Sequence, residues 1–127
     1  MSVLRMVGKQ APTFTMDAVL PNLEFGQVSL EENMENGKWT VLFFYPMDFT
    51  FVCPTEITAF SDRYDEFKEL QAEVVGVSTD TIHTHKAWIN TDRNQNGLGK
   101  LNFPLAADTN HKVSRDYGVL IEDEGIT

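Results

Sequence analysis

Apolar and polar residues alternate through residues 13–19, with Phe14, Met16 and Ala18 on one side and Thr15 and Asp17 on the other. That period of two predicts a half-buried strand. Leu20-Pro21-Asn22-Leu23 reads as a turn and residues 24–30 as a second strand, so the pair predicts a hairpin. Ser29-Leu30-Glu31-Glu32 has the spacing of a capping box, and Gly37 can stop the short helix that it starts. Val41-Leu42-Phe43-Phe44-Tyr45 does not alternate. A continuous apolar run is expected of a strand covered on both faces, and Pro46 ends it. Ile57, Phe60, Tyr64, Phe67 and Leu70 then fall at helical spacing, with Glu56, Asp62, Glu66 and Lys68 on the other face. The spacing predicts one amphipathic helix over residues 53–70. Val74-Val75-Gly76-Val77 is a second buried strand. Strand, helix and strand of these lengths form a βαβ unit, which implies a parallel pair joined by a right-handed crossover.

Beyond it, Asp80 is placed to cap a helix over residues 81–90, with Ile82, Trp88 and Ile89 facing inward. Residues 91–100 are polar and read as a loop. Residues 103–107 read as a short strand, residues 109–117 as a short helix closed by Gly118, and Val119-Leu120-Ile121 as a last short strand. Glu122-Asp123-Glu124-Gly125 is a turn of the kind that introduces a hairpin partner, yet only Ile126 and Thr127 follow it. The fold is therefore expected to continue past Thr127. The pattern is that of an α/β protein, read as one unit over residues 1–127.

Composition narrows the function classes. A hydrophobic share of 42% with nine Phe supports a genuine core. The net charge of −9, with acids and bases interspersed, disfavours binding to nucleic acid, which needs clustered Lys and Arg. No apolar run approaches the roughly 20 residues of a membrane span, so no membrane partner is expected. The first residues lack the apolar stretch and cleavage site of a signal peptide, which makes a cytoplasmic location the default. A single cysteine excludes an intrachain disulfide and a zinc site built on several cysteines.

That cysteine lies in the most informative stretch, Pro46-Met47-Asp48-Phe49-Thr50-Phe51-Val52-Cys53-Pro54-Thr55-Glu56, between a buried strand and the start of a helix. Ligand sites in α/β sheets form at that end of the strands. Pro54 lacks an N–H and is tolerated only in a first helical turn, which puts Cys53 at the helix N-terminus. There, free N–H donors and the positive end of the helix dipole favour the thiolate over the thiol. A free thiol with a pKa of about 8.5 is only a few per cent ionised at neutral pH, and a drop of roughly two units makes the nucleophilic form predominant. The Thr50 hydroxyl, three residues earlier, can donate to the thiolate and accept from a substrate hydroxyl. The competing reading is an inert buried cysteine, the commoner fate of a lone intracellular one.

The motif Pro46-x-x-x-Thr50-x-x-Cys53 resembles the active-site signature of the peroxiredoxins. The run of residues 39–59 (WTVLFFYPMDFTFVCPTEITA) is similar to the typical two-cysteine subgroup, which includes alkyl hydroperoxide reductase C. So are VGVSTD at 75–80, HKAWINT at 85–91, GLG at 97–99, FPLAAD at 103–108, SRDYGVLIEDEG at 114–125 and VGKQAP at 7–12. The resemblance implies a thioredoxin-like fold with an N-terminal β-hairpin extension. It implies reduction of hydrogen peroxide and organic hydroperoxides, without metal or flavin cofactor, at the expense of thioredoxin or a similar thiol reductant. By motif position, Cys53 becomes the peroxidatic cysteine, which passes through a sulfenic acid. Thr50 binds peroxide and sulfur, Pro46 shields the pocket that Val52 also borders, Glu56 orients an active-site arginine, and Trp88 lies near the pocket. The family's resolving cysteine, on a partner subunit, and that arginine would both fall after Thr127. The chain is therefore expected to be the N-terminal portion of a protein that forms a homodimer or a ring of dimers.

Other constellations carry less. His83 and His85, two apart, do not share a helix face and read as ordinary helix surface; a metal site using them with Cys53 lacks further ligands. Phe60, Tyr64 and Phe67 sit at core spacing. Phe49 and Phe51 flank the nucleophile, and the resemblance places this region at a subunit interface. A thioredoxin-like thiol–disulfide oxidoreductase would want C-x-x-C, whereas positions 50 and 56 are Thr and Glu. A non-catalytic assembly or holdase-like role is the alternative for a chain that lacks the later strands, since it would leave strand edges uncovered.

Overall fold

The computed structural model describes residues 6–49, 53–95 and 97–127, with Cys53 and Pro54 described by their backbone alone. The elements run in the order β1 (Thr15–Val19), β2 (Phe25–Ser29), α1 (Leu30–Glu35), β3 (Trp39–Phe44), α2 (Cys53–Asp62), α3 (Tyr64–Glu69), β4 (Ala72–Ser78), α4 (Ile82–Ile89), a 3₁₀ turn (Arg93–Gln95), β5 (Leu105–Ala107) and α5 (Lys112–Asp116). The strands form one five-stranded sheet in the order β2-β1-β5-β4-β3. β3, β4 and β5 run parallel, and β1 is antiparallel to both β2 and β5.

The expected hairpin and βαβ unit both form. In β1, Phe14, Met16 and Ala18 are buried while Thr15 and Asp17 face out. The Ser29 hydroxyl accepts from the Glu32 N–H at 3.4 Å, as the capping-box spacing requires. Gly37, at φ 70°, donates its N–H to Met34 and ends α1 in the left-handed conformation that favours glycine.

Residues on the sheet alternate between two apolar layers. Val19, Val74 and Leu105 join Tyr45, Ile57, Trp88, Ile89 and Phe103 on one face; Ala18, Val75, Val77 and Ala106 join Phe14, Met16 and Val113 on the other. Gly76 is glycine for a packing reason. A Cβ there would lie 2.7 Å from the Phe43 ring and 3.0 Å from Leu105. The vacant space lets the Phe43 ring lie over the sheet, stacked at 5.1 Å on Phe60 and edge-on at 5.8 Å to Phe103.

Four expectations are corrected. The single helix over residues 53–70 is broken at Arg63, whose φ of −105° and ψ of 17° leave the helical region. The break sets Phe67 against Phe60 and brings the Tyr64 hydroxyl to Glu73 at 3.1 Å, while Leu70 ends up exposed just past α3. The run at 41–45 does pack on both faces, Val41 and Phe43 on one layer, Leu42 and Phe44 on the other. Its residues 41–44 are nevertheless only half-buried, because among the described residues only β4 flanks β3. Residues 119–121 form no strand: one bridge, Ile121 to Ile126, closes the turn. The cap of α4 is Thr81, not Asp80; the Thr81 hydroxyl accepts from the Thr84 N–H at 3.2 Å.

Candidate active site at the carboxyl ends of the parallel strands

Three parallel strands deliver their carboxyl ends to one edge of the sheet. β3 continues through Tyr45, whose N–H still donates to Val77 at 3.0 Å, before Pro46 turns the chain away. β4 gives way to Thr79 and Asp80, and β5 to Asp108. This is the edge where open α/β sheets bind ligands. The chain leaving β3 returns as α2, and the first residue of α2 is Cys53.

Cys53 therefore occupies the backbone position read from Pro54, at the start of a ten-residue helix with Glu56 in its first turn. Thr50 and Val52, also expected at the site, lie outside the described residues, as does Phe51. Pro46 is half-buried directly after β3. Glu56 is exposed, and with Ala59, Phe60, Arg63, Glu66 and Phe67 lines an open groove of about 580 Å³ along α2 and α3. Trp88, fully buried on α4, stands behind the loop, 5.9 Å from the Phe49 ring and 5.7 Å from Tyr45. Phe49 is 46% exposed and carries φ 63°. A bulky side chain in the left-handed region is strained by about 1–3 kcal/mol, and such residues persist only where the surroundings hold them.

What holds Asp48, beside Phe49, is a buried polar cluster that sequence reading missed. The Tyr45 hydroxyl donates to Asp48 Oδ1 at 2.7 Å, and Asp48 Oδ2 lies 2.7 Å from His85 Nδ1. His85 Nε2 is 2.9 Å from the Ala106 carbonyl, which can only accept, so that nitrogen carries a proton. The Asp48 N–H donates to Asp80 Oδ2 at 2.6 Å, and the Asp80 N–H donates to Ser78. The Asp48 and His85 side chains are sealed from solvent. Burial, then the neighbouring Asp48 charge, pushes the Tyr45 hydroxyl well above its usual range, so it remains a donor. Desolvation also raises the Asp80 carboxyl, against the Asp48 N–H that bonds its ionised form.

His85 is thus not helix surface, as its neighbour His83 is. A signal was present: Ile82, His85, Trp88 and Ile89 share the i, i+3, i+6, i+7 stripe that turns inward. Asp80 missed its capping role because its carboxylate is engaged by Asp48.

An α/β sheet with a cysteine opening the helix that follows its edge strand defines a thioredoxin-like protein, here with an added N-terminal hairpin. Residues 7–127 match the model of the AhpC/TSA family. The chain belongs to that family. It is 80% identical over 122 residues to the putative peroxiredoxin YkuU of Bacillus subtilis, covering 96% of this chain and 68% of that one. It is 60% identical to bovine peroxiredoxin-2, covering 94% of this chain and 59% of that one. Its fold superposes on the reduced 2-Cys peroxiredoxin of Plasmodium vivax with a TM-score of 0.93 at 40% identity, covering 98% of this chain and 63% of the other. The chain thus spans about three fifths of the length of the last two proteins.

Proposed function

We propose that this chain carries the peroxide-attacking half of a thiol peroxidase, with Cys53 as the nucleophile. One observation carries the reading: the sequence's only cysteine opens α2 at the carboxyl edge of the parallel strands. The family membership and the peroxiredoxin relatives support it.

The Cys53 thiolate attacks the terminal oxygen of R–O–O–H in line with the O–O bond. A sulfur–oxygen bond forms as the O–O bond breaks; sulfur is oxidised by two electrons and the peroxide reduced by two. The leaving alkoxide, or hydroxide when the substrate is hydrogen peroxide, takes a proton and departs as alcohol or water. Donors aimed at the charge developing on these oxygens lower the barrier, the role assigned to Thr50 and the first N–H groups of α2. Pro46 excludes water from the pocket that Val52 also borders, Trp88 backs it, and Glu56 positions a cation beside it. The sulfenic acid then condenses with a second thiol, losing water and forming a disulfide. Thioredoxin or a similar dithiol reduces that disulfide, and no metal or organic cofactor takes part.

Met47 and Phe49, both exposed apolar residues beside the site, suit a contact between copies of the protein, in keeping with a homodimer or ring of dimers. A reducing cytoplasm is the compartment in which such a thiol is regenerated. The test is a sulfenic-acid trap followed by mass spectrometry. One equivalent of peroxide should place the trap on Cys53, and Cys53→Ser should abolish both labelling and peroxide consumption. Undiminished peroxide consumption by Cys53→Ser would overturn the proposal.

A further inference from the structure

The Asp48–His85 pair has no place in the chemistry above, yet both side chains are sealed from solvent and Asp48 lies on the chain that leads from β3 towards Cys53. Asp48 lies two residues after Pro46 and five before Cys53. Its carboxylate accepts from Tyr45 on β3 and faces His85 on α4; its N–H is held by Asp80 beyond β4; and His85 is fixed to Ala106 on β5. One loop residue is thereby tied to all three parallel strands and to α4. The next residue, Phe49, holds a left-handed conformation that a bulky side chain adopts only under constraint.

We propose that His85 and Asp48 are positioning residues for the proposed nucleophile, a clamp that sets where the chain turns towards α2 and so where Cys53 meets the peroxide. The proposal rests on the reading of Cys53 as nucleophile. Neither residue acts on substrate: both side chains are sealed from solvent.

The geometry specifies what will substitute. With the Nε2 proton committed to Ala106, His85 Nδ1 donates to the Asp48 carboxylate, which only accepts, and becomes an acceptor once a donor replaces that carboxylate. Asparagine at position 48 would donate its amide N–H to Nδ1 and accept from the Tyr45 hydroxyl, preserving each contact without charge. Alanine at 48 preserves none of the side-chain contacts. Tyr45→Phe removes only the contacts of its hydroxyl, to Asp48 at 2.7 Å and His85 Nδ1 at 3.4 Å, and serves as a milder variant should Asp48→Ala fold poorly.

The experiment uses the protein as its gene encodes it. Three quantities are compared: the peroxide rate constant, the pH profile of Cys53 alkylation by iodoacetamide, and hydrogen exchange at the Asp48 backbone amide. Asp48→Ala should lower the peroxide rate roughly 10- to 100-fold, because a misplacement near one ångström suffices for that. Alkylation, which needs the thiolate but no bound geometry, should keep its midpoint and its rate within about threefold. Asp48→Asn should keep the peroxide rate within about threefold, and Tyr45→Phe should fall between the two. Exchange should quicken about tenfold or more in the alanine variant and not in the asparagine one. Loss of foldedness alone would not separate the peroxide rate from alkylation. Peroxide rates that fall equally in Asp48→Asn and Asp48→Ala, or that fall in neither, overturn the clamp. If the unaltered protein reacts with peroxide no faster than free cysteine, the peroxidase reading fails instead. The clamp is then judged by exchange: supported if only alanine quickens it, overturned if both or neither do.

Discussion

β3 and β4 carry the same kind of apolar run and meet different fates. β4 lies between β3 and β5, and Val74, Val75 and Val77 are sealed from solvent. β3 packs on both faces just as the run implies, yet residues 41–44 are half-buried and Trp39, at its start, is 77% exposed. An uninterrupted apolar run reports what lies above and below a strand. It says nothing about what lies beside it, and lateral neighbours complete the burial.

Substitutions sharpen this contrast. Leu105→Ala, on fully enclosed β5, should cost about 2–5 kcal/mol of unfolding free energy, measured by denaturant titration. Gly76→Ala presses a methyl group into the Phe43 ring and should cost about 1–3 kcal/mol, with the ring's NMR shifts moving. Leu42→Ala, on half-buried β3, should cost only ~1 kcal/mol, about half of what burying a whole leucine side chain contributes. A Leu42→Ala loss equal to that of Leu105→Ala would erase the distinction between the two strands.

The smallest effect is electrostatic and belongs to the edge where the strands end. Desolvation raises Asp80's pKa in the folded protein above its ordinary 3.8. The folded state therefore binds its proton more tightly than the unfolded state, and stability falls as pH rises from 3.8 through the raised value. Asp80→Asn can still accept the Asp48 N–H through its carbonyl oxygen. The variant should match or exceed the original in stability at neutral pH, and the difference should vanish on acidification. A difference that grows as pH falls would show the sign to be wrong.

Much of this was legible in the sequence because it is local. Alternation gave the β1–β2 hairpin, the Ser29 cap was written in four residues, and Pro54 dictated that α2 open at Cys53. The break at Arg63 was not legible, since residues 53–70 keep their helical spacing across it and only contacts with Phe60 and Glu73 show where α3 points. The clamp was hidden for a stronger reason. Asp48 and His85 lie 37 residues apart, and neither residue type announces a buried partner at that distance. Asp80 read as a helix cap because nothing nearby revealed Asp48 as the competitor for its carboxylate.

The proposed peroxide chemistry requires a sulfur that is already ionised where a hydroperoxide can reach it. Stopped-flow measurement of hydrogen peroxide consumption against pH, on the protein as its gene encodes it, tests both halves together. The second-order rate should reach its plateau well below the about 8.5 at which a free thiol ionises, and should exceed that of free cysteine by roughly a thousandfold or more, as expected of an oriented, electrostatically assisted attack. A profile that climbs until about 8.5, at the rate of free cysteine, would contradict it.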